Sequence, residues 1–171
     1  LFRIRPRVRG GAKGLVTGRR SLDEVVQGTR TPGLDLVPAD FRYRDLDLEL
    51  DAVRKPSRIL RGLLDPLARD YDLVIIDCPP SVSLTSESIV RAADLLLVPV
   101  IPATLAMRSL DQLVEFLDGL GSVSRDRTTA RRPEVLTFLS MVDRRKRLHR
   151  ELVLSLPRDR EEVSEVVVPA S

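Results

Sequence analysis

Apolar residues recur along the chain in two different spacings. From Pro56 onward a helical spacing places Ile59, Leu60, Leu63, Leu64 and Leu67 on one face, which predicts a helix that Pro56 opens. Continuous apolar runs at 73–76, 95–98 and 166–168 predict strands, and a further strand is predicted at 135–141. The run at 73–76 is typical of a strand buried on both faces. Amphipathic patterns predict further helices at 86–93, 105–120 and 145–154.

Strands and helices therefore alternate through the second part of the chain. This alternation favours right-handed crossovers and parallel pairing. The predicted fold class is α/β, a three-layer sandwich with a mostly parallel sheet.

The first part of the chain is less regular. Residues 1–20 are rich in Arg and Gly without periodicity, which predicts a loop or mobile arm ahead of a domain at 21–171. Ser21 and Glu24 have capping-box spacing, which predicts a short helix that Gly28 ends. A short strand is predicted at 34–37, and 45–51 stays unassigned.

Composition narrows the class of protein. The 171 residues are 43% hydrophobic and 31% charged, which is typical of one globular domain. No apolar stretch approaches the roughly 18 residues of a membrane span, and no signal peptide is recognisable. The one cysteine, Cys78, cannot form an internal disulfide, so a cytoplasmic location is expected.

Positive charge is concentrated in two stretches, although the net charge is only +3. Several arginines near a phosphate backbone would bind nucleic acid in a salt-dependent way, whereas the alternative is an ordinary solvated surface. The candidate DNA-binding residues are Arg125, Arg127, Arg131, Arg132, Arg144, Arg145, Lys146 and Arg147.

The stretch with the clearest chemistry is the apolar run 73–76 and the Asp77-Cys78-Pro79-Pro80 that follows it. A carboxylate at the carboxyl end of a parallel strand lies where open α/β sheets bind ligands. In phosphoryl-transfer enzymes such an Asp contacts the Mg²⁺ shell or orients the attacking water. The alternative is that Asp77 only caps the following turn.

Two further reactive side chains have simpler interpretations. His149, the one histidine, lies in a basic predicted helix and is expected on the surface. Cys78 has no evident base nearby and is expected to be a small buried residue at a strand end.

The segment 73–81 resembles the switch II segment of ParA/Soj/MinD-type deviant Walker P-loop ATPases, the chromosome and plasmid partitioning family. Other segments are similar to the same family in matching order: 33–39, 92–100, 104–120, 138–145 and 167–169. The resemblance implies ATP and Mg²⁺ as cofactors, with Asp77 supporting the catalytic water and the Mg²⁺ shell through water. It also implies that Pro79 and Pro80 shape the switch, and that Met141, Asp143 and Pro169 line the base.

The same resemblance implies a function for the complete protein. It would dimerise with ATP bound and hydrolyse ATP slowly while partitioning or positioning DNA or another cargo. A homodimer, non-specific DNA and a ParB-like stimulating protein are the implied partners, and the nucleoid is an implied location. A cobyrinic acid a,c-diamide synthase-like or exopolysaccharide-associated branch of the superfamily is an alternative.

One part of the family pattern is absent. The family begins with a strand and a K-G-G-x-G-K-[ST] loop, but Gly10-Gly11-Ala12-Lys13-Gly14 has neither a preceding apolar strand nor a following hydroxyl residue. We therefore expect a piece of a longer protein, inactive as an ATPase in the form given. The alternative is a P-loop-less homologue that acts as a non-enzymatic binding or dimerisation module.

Overall fold

The computed structural model describes residue 4 and residues 11–38, 45–53, 55–78, 83–123 and 132–170. The chain divides into two compact units, Leu1–Ala92 and Ala93–Ser171. Each unit has its own hydrophobic cluster.

The first unit is mainly helical. Its elements are α1 (Gly11–Val16), β1 (Gln27–Gly28), β2 (Asp35–Leu36), α2 (Leu46–Asp51), α3 (Pro56–Leu64) with a 3₁₀ turn at Asp65–Arg69, and α4 (Leu84–Ala92). The predicted helices around α3 and α4 are confirmed, and Pro56 occupies the first turn of α3. The predicted strand near 34–37 is reduced to β2, which pairs with β1 in antiparallel fashion.

The predicted loop at the start of the chain is wrong for α1. Ala12, Leu15 and Val16 are buried, and Leu15 belongs to the same hydrophobic cluster as Leu67. These apolar side chains outweigh the glycines, because burial within this cluster and contact with α2 stabilise a helix too short to form alone. The division of the chain at 20/21 stays a prediction.

The short helix predicted at Ser21 is also absent, and a turn takes its place. Ser21 and Glu24 do approach each other, with Ser21 N 3.5 Å from Glu24 Oε1. The Glu24 carboxylate is also ion-paired with Arg20.

The run 73–76 is the largest departure from the sequence analysis. It belongs to no strand among the described residues, and Leu73 and Ile75 are 74% and 85% exposed. A strand exists only when a neighbouring backbone completes its hydrogen-bond ladder. No described segment pairs with this run, so its apolar side chains stay uncovered.

The second unit contains the parallel sheet. Its elements are β3 (Leu95–Val100), α5 (Thr104–Val123), β4 (Glu134–Val142), α6 (Arg147–Asp159) and β5 (Val163–Pro169). The strand order is β3-β4-β5, and both pairings are parallel. The predicted α/β class with a parallel sheet is confirmed, as are the three strands and two helices predicted in this part of the chain.

Helices α5 and α6 supply one cluster with the sheet. Its buried members are Val100, Leu110, Leu139, Val142, Leu156 and Val163. Leu105, which the amphipathic pattern of 105–120 places on the apolar stripe of α5, is instead 74% exposed, whereas Ala106 and Met107 beside it pack against the core. Within the described parts of the chain, no helix is both long and apolar enough to cross a membrane.

Candidate functional site

The carboxyl ends of β4 and β5 bring three predicted site residues together. Val142 and Pro169 are register partners at the ends of these parallel strands, and Ala170 N donates to Val142 O at 3.1 Å. Met141 and Asp143 flank Val142 in the chain. The three residues therefore lie at one edge of the sheet, the edge at which α/β proteins bind ligands.

Met141 has an unusual backbone conformation. Its φ is 54°, in the left-handed region, and its side chain is 57% exposed. For a residue with a Cβ this conformation costs about 1–2 kcal/mol, so neighbouring contacts must hold it. The pairing of β4 with β5 shifts register between Leu139 and Val142, which places the Met141 distortion at the edge of the sheet.

Asp143 is held as an ionised carboxylate. Its Oδ1 accepts a hydrogen bond from Arg145 N at 2.9 Å. This bond lowers the pKa of Asp143; desolvation opposes it, while the charges of Arg145 and Lys146 add to it. An ionised carboxylate only accepts hydrogen bonds, so at this edge it would recognise an amino group of a ligand.

His149 is buried, and the prediction of a surface histidine is wrong. It is 7% exposed, and its Nδ1 accepts the backbone N–H of Asp143 at 3.0 Å. A sequence signal existed, because positions 149, 152, 153 and 156 share one face of α6, and the last three belong to or pack against the core. The basic residues near His149 made this buried face difficult to recognise from the sequence.

Asp77 and Cys78 directly follow the run 73–76 in the first unit. Both are exposed, so the prediction that Cys78 is buried is wrong. Partial desolvation raises the pKa of the Cys78 thiol; a hydrogen bond with Ser86 opposes this rise, and the Asp77 charge adds to it. The thiol form is therefore favoured at neutral pH, which argues against a nucleophile. Pro79 and Pro80 lie outside the described residues.

The helix that follows this segment is anchored by a residue that the sequence analysis missed. Asp47 Oδ1 accepts hydrogen bonds from Thr85 N at 2.8 Å and Thr85 Oγ1 at 2.7 Å. These bonds lower the pKa of Asp47, with the Thr85 hydroxyl as the largest cause. The carboxylate of α2 thus caps the first turn of α4. No local pattern signals a contact between residues 38 positions apart.

The candidate DNA-binding residues are only partly described. Arg125, Arg127 and Arg131 lie outside the described residues, and Arg132 is ion-paired with Asp118 at 2.6 Å. The second stretch is exposed, with the side chains of Arg145 and Arg147 95% and 86% accessible. It forms the turn into α6 and the first residue of that helix.

The fit to Mg²⁺ is limited to one carboxylate. No cluster of three His, Cys, Asp or Glu side chains suited to a metal occurs among the described residues. Mg²⁺ commonly binds through one or two carboxylates together with ligand phosphates and waters, rather than in an all-protein cage. An exposed carboxylate such as Asp77 fits that outer role.

Comparison with known proteins identifies the family. The family model described as AAA domain matches residues 10–128. A ParA family protein of Chlamydia muridarum is 32% identical over 110 residues, covering 63% of this chain and 43% of the relative. The chromosome partitioning protein ParA of Caulobacter vibrioides is 28% identical over 140 residues, covering 81% of this chain and 51% of the relative. The chain thus spans about half the length of these relatives or less.

Solved structures share the fold. Cobyrinic acid a,c-diamide synthase from Mycobacterium smegmatis, with bound ADP and magnesium, matches with a TM-score of 0.79 at 22% identity, covering 96% of this chain and 66% of that one. A plasmid partition protein from Borrelia burgdorferi matches with a TM-score of 0.74 at 17% identity, covering 92% of this chain and 62% of that one. The family model covers more than half of the chain and the relatives agree with it, so this chain belongs to the AAA domain family and to its ParA/Soj-type P-loop ATPases.

Proposed function

We propose that the complete protein is a ParA-like ATPase that binds ATP and Mg²⁺, dimerises, and hydrolyses ATP slowly to partition or position DNA or another cargo. The observation that carries the proposal is the meeting of Met141, Asp143 and Pro169 at one edge of the parallel sheet. The names of the relatives, which include chromosome partitioning proteins, support the biological role.

In this proposal the edge of the second unit holds the base. The exposed Met141 side chain and the Pro169 ring offer apolar surface to a flat ring. The ionised Asp143 accepts a hydrogen bond from an amino group, which adenine carries and which an unsubstituted purine lacks. We name these residues together the base edge.

Asp77 is proposed to support the catalytic water and the Mg²⁺ shell, with Pro79 and Pro80 shaping the switch around it. The bound Mg²⁺ would neutralise charge on the phosphates. The exposed carboxylate of Asp77 accepts hydrogen bonds from water, in keeping with contact through water rather than direct ligation.

The lysines and amides of a P-loop are needed to hold phosphate charge, and the family loop is absent from this sequence. We therefore expect no Mg²⁺-dependent phosphate release from ATP by this chain above that of its Asp77→Ala variant. Release that Asp77→Ala abolishes would contradict this expectation and assign turnover to Asp77. The alternative function is a P-loop-less binding or dimerisation module, and the coding sequence upstream of Leu1 separates the two.

The base edge is tested with adenosine, which carries no phosphate. Adenosine added to the ¹⁵N-labelled chain should shift the amide resonances of Met141, Asp143 and Ala170, and Asp143→Ala should weaken that response. Purine riboside, which lacks the amino group, is the matched control ligand and should bind less tightly. Absence of shifts at these residues, or equal binding of the two ligands, would overturn the base edge.

A second activity, non-specific DNA binding, is favoured by the exposed basic turn before α6 and the start of that helix. Arg144, Arg145, Lys146 and Arg147 are exposed there, although Arg147 contacts Glu151 at 2.6 Å. Fluorescence anisotropy with duplex DNA should show binding at about 50 mM salt that falls as salt rises, with a slope of roughly 0.9 per phosphate contact. Arg144→Ala with Lys146→Ala should reduce that slope. Absence of binding at low salt would remove this proposal.

The remaining partners follow from the family alone. A homodimer, a ParB-like stimulating protein, and a cytoplasmic location that includes the nucleoid are proposed on the names of the ParA relatives.

A further inference from the structure

His149 occupies an unusual place for a charged or polar side chain. It is 7% exposed and lies on the face of α6 that also carries Leu152, Val153 and Leu156 against the sheet core. From this face its ring reaches back to the segment that follows β4, where Nδ1 accepts the N–H of Asp143 at 3.0 Å. Acceptance at Nδ1 requires the proton of the neutral ring to lie on Nε2.

The segment that His149 contacts contains the strained residue of the base edge. Met141, at φ 54°, is two residues before Asp143, and such a conformation persists only where the surroundings over-determine it. Val142 is fixed by Ala170 N at 3.1 Å, and Asp143 O accepts Lys146 N at 3.0 Å. These contacts run to β5 or within the loop itself. His149 adds a contact from the buried face of a helix, which is the more rigid support.

We propose that His149 is a positioning residue for base recognition, which fixes the Asp143 backbone so that Met141 and Asp143 face the ligand together. This inference rests on the proposed base edge. The simpler interpretation is a buried histidine that contributes only packing, and the two interpretations predict opposite orders of effect for matched substitutions.

Three substitutions of His149 distinguish the effect of its hydrogen-bond acceptor from the effect of its ring. His149→Phe keeps a flat ring of similar size but removes the acceptor. His149→Asn loses the ring but places Oδ1 on Cγ, the same carbon that carries Nδ1. His149→Gln has the same amide chemistry as Asn with the acceptor one bond farther along, so it is the matched control for acceptor position.

The experiment measures adenosine affinity by amide chemical shifts, and hydrogen exchange at the Asp143 amide without ligand. In His149→Phe the Asp143 N–H loses its partner, so exchange should quicken and the Kd for adenosine should rise about tenfold. His149→Asn should keep the Asp143 amide protected and the Kd within about threefold of the unsubstituted chain. His149→Gln should show the same faster exchange and the same rise in Kd as His149→Phe.

Each outcome decides the proposal. Loss of binding in Phe and Gln with retention in Asn supports it. Unchanged binding in Phe, or an Asn variant as weak as Phe and Gln, overturns it in favour of packing alone. If Phe fails to fold, the Asn and Gln pair gives the same decision. If the unsubstituted chain itself shows no adenosine shifts, the base edge fails first and this inference fails with it.

Discussion

Two apolar runs of the same character behave differently in this molecule. The run 73–76 and strand β3 are both continuous, aliphatic and bounded by turn residues. Strand β3 pairs with β4 over its whole length and buries Val100 to 5% exposure, while Leu95 and Leu97 on its other face are 46% and 60% exposed. The run 73–76 pairs with no described strand and leaves Ile75 85% exposed.

The difference shows that an apolar run favours a β-strand, but that the strand forms only where a neighbouring strand pairs with it. Strand β3 has β4 beside it and α5 and α6 packed in the same core as its inward residues. The first unit is instead stabilised by helices, with α3 against α4 and a polar cap from Asp47. The same sequence pattern thus gains stability only where the ladder is completed.

The largest test of this comparison uses two Leu→Ala substitutions. Leu139 in β4 is 1% exposed. Leu139→Ala should lower the unfolding free energy by about 3 kcal/mol, because a cavity forms in the core. Leu73 in the unpaired run is 74% exposed, so Leu73→Ala should lower the unfolding free energy by less than about 0.5 kcal/mol. Urea denaturation followed by circular dichroism measures both. Equal losses would mean that the run 73–76 is buried after all.

The second test concerns the polar anchor of the first unit. Asp47→Ala should destabilise this unit by about 1–2 kcal/mol, because Thr85 N and Oγ1 lose their acceptor. The folded-state pKa of Asp47 is lowered, so its charge-dependent stabilisation is fully present above its unfolded pKa of about 3.9 and is lost as pH falls through the folded value. Asp47→Asn keeps an acceptor and should flatten this pH dependence. A variant as acid-sensitive as the parent chain would refute the assignment.

A smaller effect is expected inside the sheet of the second unit. Thr137 is fully buried, and its Oγ1 has no hydrogen-bond partner among the described residues. Thr137→Val removes the unsatisfied hydroxyl at nearly constant shape and should stabilise by up to about 1 kcal/mol. Thr137→Ser keeps the hydroxyl and loses a methyl group, so it should destabilise. A less stable Val variant would indicate that the hydroxyl is bonded in solution.

The smallest expected change in stability comes from a charge in the exposed run. Ile75→Lys should leave the unfolding free energy within about 0.5 kcal/mol while lowering aggregation, because a charge interrupts an exposed apolar run. Light scattering at matched concentration measures it. The same substitution at the buried Leu139 serves as a contrast and should unfold the second unit. A strongly destabilised Ile75→Lys would show that this side chain is packed in solution.

The sequence predicted the second unit well because its elements obey local patterns. Strand β4, helix α5 and strand β5 follow local apolar patterns, and β4 pairs in parallel with β3 and β5, as alternating strands and helices predict. The first unit was predicted less well, since α1 contacts α2 and shares a hydrophobic cluster with Leu67, both distant in the sequence. Local spacing contains no information about such contacts.

The candidate site divides in the same way. Met141, Asp143 and Pro169 were located through family motifs, and the parallel register explains why they meet. The buried contact of His149 with Asp143 was not predicted, because the basic residues beside His149 suggested a solvent-exposed face of α6. The Asp47 cap was missed because capping by a distant side chain leaves no spacing to detect.

The exposure of Cys78 also affects how self-association should be measured. Since the chain has one cysteine and that thiol reaches solvent, prolonged oxidation would join two chains through a disulfide, although the raised pKa of Cys78 slows this reaction. Such a covalent pair would resemble a ligand-dependent dimer in a sizing experiment, but it would dissociate on reduction. A Cys78→Ser chain, studied beside the parent in reducing buffer, separates the chemical artefact from genuine assembly.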